Sequence, residues 1–279
     1  MNITLLGAGG KMGGRITANL RHLPRYKIDY VETSEERRKQ IETTPLEDAL
    51  DRAEIVILAL PDILIGTITH QIVPKLKSGT IVLGLDPAAA YAGVMPQRDD
   101  ITYFVAHPCH PLLFSDTEPA SPKSDWFGGQ GTLRMSVVCA LHQGPEEHYA
   151  IGEKLVADMF APILRLHRIT VEQMAILEPA VVESTMLSCI TVMRQAMEEA
   201  IAMGVPKQAA EDFCLGHIRT ELAIVFGFAA FPFSDGAKRA IEQNLPRIFR
   251  DDWKKVITIP ALKESVGDIT DARHTLDGH

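Results

Sequence analysis

The sequence predicts an α/β chain: a doubly wound parallel sheet over residues 1–168, then a smaller all-helical domain over residues 169–279. Three observations carry this prediction. Short apolar runs recur at Ile3 to Leu6, Ala53 to Leu60, Thr80 to Leu85 and Ile101 to Ala106. Near-continuous runs of that length mark parallel strands covered on both faces. Helix-compatible segments alternate with the early runs, as right-handed crossovers require. Beyond Thr170 the strand-like runs stop and the spacing becomes helical.

The opening unit is the most specific. Ile3 to Leu6 breaks into Gly7-Ala8-Gly9-Gly10-Lys11-Met12-Gly13, continues as a helix-compatible segment Gly14 to Arg21, and leads to a second strand-like run ending Tyr30-Val31-Glu32. This is the Rossmann order of strand, glycine turn, helix, strand and acid. Glycines let the main chain approach a pyrophosphate, the helix start offers free N–H groups, and an acid about twenty residues on holds the adenosine ribose hydroxyls. The spacing Gly7-x-Gly9-x-x-x-Gly13 is one residue longer than the commonest form, so Gly10 is expected to share the phosphate role. Gly7, Gly9, Gly10, Lys11, Met12 and Gly13 are the expected cofactor contacts. Glu32 points to NAD, because a carboxylate repels a 2′-phosphate, while Arg37 and Arg38 leave NADP open as an alternative.

Further along, the run ending Leu60-Pro61-Asp62 and the run ending Asp86-Pro87 close two more strands, with helical spacing from Ile63 to Leu76 between them. Ligands of such sheets lie beyond the carboxyl ends of the strands, which places Leu60, Asp62 and Asp86 at the cofactor. An acid at a strand end is also a common helix cap. Residues 115–131 lose all periodicity around Trp126-Phe127 and read as a loop excursion, either a flap over the site or a plain surface loop. A strand from Thr132 to Leu141, a helix from Pro145 to Phe160 and a strand around Ile163 to Leu166 follow.

Thr170 with Gln173 gives a capping-box signal for one long helix that runs to Met203 and ends at Gly204 and Pro206. Apolar residues such as Met174, Leu177, Val181, Met186 and Ile190 fall all round its cylinder, the pattern of a buried helix. Pro179 inside it removes a main-chain hydrogen bond and predicts a kink. Helical segments Pro206 to Ala230 and Ser234 to about Trp253 complete the C-terminal domain.

The chain has 279 residues, 46% hydrophobic and 23% charged, an ordinary composition for a soluble two-domain protein. A net charge of −8 gives no electrostatic case for nucleic acid or an anionic membrane surface. No basic segment with an apolar signal core opens the sequence, and no run reads as long enough to span a bilayer, so a cytoplasmic protein is expected. Cys109, Cys139, Cys189 and Cys214 are dispersed, which suits reduced thiols rather than a disulfide framework or a paired metal motif.

Chemistry concentrates at two places. The first is His107-Pro108-Cys109-His110-Pro111, directly after the Ile101 strand, where each residue before a proline is held extended. A histidine there can exchange a proton with a hydroxyl while a nicotinamide takes the hydride. His107 is the leading candidate, ahead of His110 and Cys109; the alternative is a prolyl turn whose histidines cap strand ends. The second place is the long helix, where Glu172, Glu178 and Glu183 interrupt the apolar pattern. A carboxylate in a buried helix must be paired, protonated, exposed at a gap or bound to a cation. Glu178 beside the Pro179 kink and then Glu183 are the expected catalytic acids; Glu172, in the first turn, suits the helix dipole. The two lie about 140° apart at the α-helical period and do not share a face. Ion pairs with Arg194 or Arg219 are the plain alternative.

The glycine turn, Leu58-Ala59-Leu60-Pro61-Asp62, His107-Pro108-Cys109-His110-Pro111 and Glu172-Gln173-Met174-Ala175-Ile176-Leu177-Glu178-Pro179 together resemble the NAD-dependent D-apionate oxidoisomerases of the 6-phosphogluconate dehydrogenase-like superfamily. The resemblance covers nearly the whole chain. Its selective parts are the His-Pro-Cys-His-Pro element and the later Glu-Pro. A wider similarity to prephenate dehydrogenases rests on a His-Pro at the same topological place. The acidic metal-binding array of ketol-acid reductoisomerases has no match, and the catalytic lysine motif of β-hydroxyacid dehydrogenases is missing from Ser184 to Glu198.

The resemblance implies oxidation of the C2 hydroxyl of a branched sugar acid by NAD, then migration of a hydroxymethyl group to the new carbonyl. A shift of that kind benefits from a Lewis acid across adjacent oxygens, which would give His107 and Glu178 a shared role as divalent-metal ligands. The alternatives are a hydroxy-acid dehydrogenase without migration and an NAD(H)-sensing regulator without turnover. A homodimer built on the C-terminal domain is expected, with a small-molecule substrate and neither nucleic acid nor membrane as partner.

Overall fold

The computed structural model describes residues 1–114 and 133–271; the Trp126 excursion lies outside them. Seven strands form one sheet: β1 (Asn2–Leu6), β2 (Lys27–Val31), β3 (Ile55–Leu58), β4 (Ile81–Gly84), β5 (Thr102–Pro108), β6 (Met135–Gln143) and β7 (Ile163–Arg168). Their order is β2-β1-β3-β4-β5-β6-β7. Neighbours from β2 to β5 pair in parallel, β6 runs antiparallel to β5, and β7 returns parallel to β6. The expected all-parallel sheet is therefore mixed at one side, because strand periodicity reports which faces are buried and not which way the strand runs.

Alternation along the central strands feeds two cores. Ile3, Leu5, Ile55, Ile57 and Leu83 meet Ile16 and Leu20 of helix α1 (Lys11–Leu20), together with Leu155 and Val156 of α6 (Glu147–Met159). On the other face Leu6, Val56, Leu58 and Val82 meet Leu50 and Ile65, which come from α3 (Leu46–Arg52) and α4 (Asp62–Ile72). Each such side chain, taken from water, contributes about 1.5–3 kcal/mol, which is why both faces must be covered and why the runs are apolar throughout. Two short helices escape the sequence pattern, α3 and α2 (Glu35–Arg38). Helix α5 (Ala88–Ala92) follows β4 and ends at Gly93 in the left-handed conformation.

After β7 the expected capping box is present: Thr170 Oγ1 accepts from Gln173 N and the Gln173 side chain accepts from Thr170 N. It opens α7 (Val171–Ala175), but the helix does not continue as a kinked α-helix. Ile176–Met186 is π-helical around Pro179, so the main chain absorbs the lost proline donor by widening its turns to an i→i+5 pattern. The Thr185 hydroxyl donates to Ala180 O across such a five-residue step. The 140° separation of Glu178 and Glu183 assumes the α-helical period, which Ile176–Met186 does not keep.

The chain divides into two compact units, residues 1–179 with 262–279, and residues 180–261. The second holds α8 (Leu187–Ala202), α9 (Lys207–Val225) and α10 (Asp235–Ile248). A final helix, α11 (Ile259–Thr270), buries Leu262, Val266 and Thr270 and was not expected from the sequence. The expectation of a buried long helix holds for Val171, Met174 and Ala175 and is corrected further on: α8 has no buried residue, and Ile190 is 62% exposed. Among the described residues nothing buries this apolar surface. By length and composition Val171–Ala202 is apolar enough to cross a membrane, with 11% of its most apolar stretch buried, which corrects the reading that no run is long enough.

Candidate active site

The glycine turn is built as expected. Gly7 has φ +75°, and a Cβ there would lie 2.2 Å from Ala59 O; at Gly13 it would lie 2.3 Å from Gly7 O. Only glycine fits either place. Lys11 and Met12 open α1, the helix whose N-terminus faces this turn. Glu32 ends β2 and is held by three main-chain donors: Gly9 N at 3.0 Å to Oε2, and Thr33 N and Ser34 N at 2.9 Å to Oε1. Arg37 packs its stem against Gly9 and brings Nη1 close to Gly10. Leu60, Asp62 and Asp86 line one small cavity of ≈ 80 Å³ at the ends of β3 and β4.

His107 is on β5, in the neighbouring strand. Its Nδ1 lies 2.9 Å from Leu85 O and 3.7 Å from Asp86 Oδ2. A carbonyl only accepts, so Nδ1 carries a hydrogen and Nε2 is the reactive nitrogen. Nε2 faces Glu178 Oε2 at 3.4 Å, both side chains being about four-fifths buried. Packing explains the meeting. Val171 and Met174 of α7 are buried against Val105, Val138 and Ala140 of the sheet, and the turn that follows brings Glu178 to the end of β5. Asp86 takes the capping role open to a strand-end acid, Oδ1 accepting from Ala88 N at 2.8 Å, and has a second place the sequence did not assign, Oδ2 standing near the His107 ring. Leu85 was missed because its contribution is a main-chain carbonyl, visible only once β4 and β5 are known to be neighbours.

The remaining candidates separate clearly. Glu183 is exposed on the π-helical segment in the second unit, and Glu172 is exposed in the first turn of α7. Arg194, offered as a salt-bridge partner for the helix acids, pairs with Glu198 instead. Cys109 is exposed as a residue, yet the protein packed around its sulfur and the Glu178 charge raise the thiol above its ordinary value. A raised thiol is a poor nucleophile at neutral pH. No group of three or more His, Cys, Asp or Glu residues with metal-ligand geometry occurs among the described residues.

The family described as phosphogluconate dehydrogenase (decarboxylating) C-term matches residues 115–270. A D-apionate oxidoisomerase of Cupriavidus necator is 47% identical over 96% of this chain and 99% of its own length. The chain belongs to the D-apionate oxidoisomerase family. A second family member, from Rhizobium rhizogenes, is 46% identical with the same coverage. A solved structure described as a semialdehyde dehydrogenase NAD-binding protein from Cupriavidus necator, in complex with calcium and NAD, superposes with a TM-score of 0.91 at 47% identity. It covers 96% of this chain and 99% of that one. That solved structure therefore shares the fold described above over nearly its whole length.

Proposed function

We propose that this chain is an NAD-dependent oxidoreductase and isomerase that oxidises D-apionate at C2 and shifts a hydroxymethyl group to give 3-oxo-isoapionate. The observation that carries the reading is the His107 Nε2 to Glu178 Oε2 approach of 3.4 Å at the end of β5, in the sheet that begins with the dinucleotide turn. NAD accepts the hydride that leaves C2. His107, oriented through Leu85 O, takes the C2 hydroxyl proton at Nε2. Glu178 then takes the proton of the C3 hydroxyl. The C3–O bond becomes a carbonyl, and the hydroxymethyl carbon moves with its bonding pair from C3 to C2. The C2 oxygen, receiving electrons, picks up the proton. Two electrons leave with the hydride, one proton is released, and the shift itself is redox-neutral.

A divalent ion is the alternative use of this pair, since an Nε2 lone pair given to a metal cannot also take the hydroxyl proton. A nitrogen and a carboxylate oxygen 3.4 Å apart are close enough to share one ion, although catalytic metal sites usually carry three protein ligands, so substrate oxygens would have to complete the set. His107 Nε2 and Glu178 would hold such an ion, and it would polarise the adjacent substrate oxygens for the shift. Glu183 stays a candidate acid of the same helix. The apolar surface of α8 to α10 is assigned to a second copy of the chain and the protein to the cytoplasm. Glu172, Glu178, Glu183 and Arg194 interrupt the membrane-length helix, and each charge at a bilayer centre costs about 2.5–3.5 kcal/mol.

NMR of the product formed from D-apionate and NAD tests the reaction. An unrearranged keto acid would leave a simple dehydrogenase, and NAD binding without turnover would leave a sensor. His107→Ala and Glu178→Gln should each lower kcat by about two to four orders of magnitude with cofactor affinity nearly unchanged. Near-normal turnover in both would misplace the site. Chelator sensitivity that a divalent ion reverses, and that Glu178→Gln removes, would assign the metal role.

A further inference from the structure

His107 and Glu178 leave one oddity beside them. His110 has φ +58° and is the only non-glycine residue with positive φ among the described residues. The left-handed region is costly for a side chain with a Cβ. Here it is disfavoured twice, because Pro111 follows and a residue before proline is pushed toward extended backbone. The conformation is imposed from the strand side. Cys109 N donates to Ser136 O at 2.9 Å, which pins the preceding residue to β6. Left-handed non-glycine residues kept against such a cost cluster at ligand and active sites.

The outcome of this backbone is a second imidazole at the reacting pair. The His107 and His110 rings stand edge to face with centroids 6.5 Å apart, and His110 is half-buried. Neighbouring hydroxyls of one diol, one donating to His107 Nε2 and the other accepting from a His110 ring N–H at about 2.8 Å each, fit a gap of this size. The proposed reaction needs two adjacent oxygens held at once, at C2 for the oxidation and at C3 for the shift.

We infer that His110 is a second substrate-contacting imidazole, which binds the C3 oxygen of the sugar acid and holds it in line for the migration. The inference rests on the proposed oxidation and shift, and it gives the C3 oxygen, whose proton goes to Glu178, a hydrogen-bond donor as well.

Two variants test it. His110→Gly and His110→Asn both tolerate the left-handed backbone, Gly without a Cβ and Asn with a side chain too short to reach. Tm should stay level or rise in both, and the affinity for NAD should be unchanged. The kcat/KM for D-apionate should fall about a hundredfold, the usual scale for a lost proton-handling or hydrogen-bonding group. Unrearranged 2-keto acid should appear among the products, because oxidation at C2 outruns a shift that has lost its orienting contact. Unchanged kcat/KM and a single rearranged product would overturn the assignment. So would activity loss without any keto acid, or a fall in Tm and NAD affinity in step with activity. If the unmodified protein itself gives only unrearranged acid, the isomerase reading fails first and this inference with it.

Discussion

Glu32 shows how a single side chain can serve two purposes. Its oxygens already take hydrogen bonds from Gly9, Thr33 and Ser34, and an ionised carboxylate has about four acceptor positions. The group is thus fixed against the glycine turn with capacity left for a ribose hydroxyl. Glu32→Ala removes both the turn's tether and the charge that repels a 2′-phosphate. NAD affinity should weaken by about 10–100-fold, the equivalent of losing hydrogen bonds to a charged group. NADP, with Arg37 beside Gly10, should lose less, so that the preference narrows. Cofactor titrations with both nucleotides check this, and equal use of NAD and NADP by the unmodified protein would contradict it.

At the scale of elements, one ion pair ties the second strand to its covering helix. Asp29 of β2 is 5% exposed and is gripped through both oxygens by Arg52 at the end of α3, at 2.8 Å each, with Thr44 Oγ1 donating as well. The Arg52 hydrogen bonds hold the carboxyl below its usual range, outweighing the opposing effect of burial. A group with a depressed folded-state value adds stability that is complete above its unfolded value of about 3.9 and is lost as pH falls through the lower folded value. Asp29→Asn should cost about 1–3 kcal/mol at neutral pH and flatten the acid limb of the Tm against pH curve. An unchanged acid limb would show that the pair contributes nothing. The same scale separates what the sequence revealed from what it hid. Ile55 to Leu58 and Ile81 to Gly84 were legible because strands covered on both faces leave continuous apolar runs. The short α2 and α3 were not, since four and seven residues hold too few turns to show a period. The π-helical Ile176–Met186 was read at the wrong repeat, and α11 carries its buried residues too sparsely to stand out. Of the site, the histidine and the glutamate were each visible as misfits in their local pattern. Their meeting was not, because it depends on Met174 and Val171 docking on Val138 and Val105.

For the molecule as a whole, the second unit presents Ile190, Phe213, Phe228 and Leu245 to solvent, each more than half exposed. Isolated exposed apolar residues are ordinary, but surfaces of this kind on monomers usually mark a partner site. A homodimer through α8 to α10 should be seen by light scattering at micromolar concentration, and Ile190→Asp with Phe213→Asp should shift it toward monomer. A monomeric unmodified protein would count against this. The sheet carries a consequence of another kind, for how such a site is inherited. The acceptor that orients His107 is the Leu85 carbonyl, and β4 supplies it by lying beside β5. No point mutation deletes a main-chain oxygen. The ring's orientation is therefore a property of strand adjacency, protected from drift in any side chain, and descendants of this fold are free to vary the surrounding residues, and with them the substrate, while the histidine stays aimed.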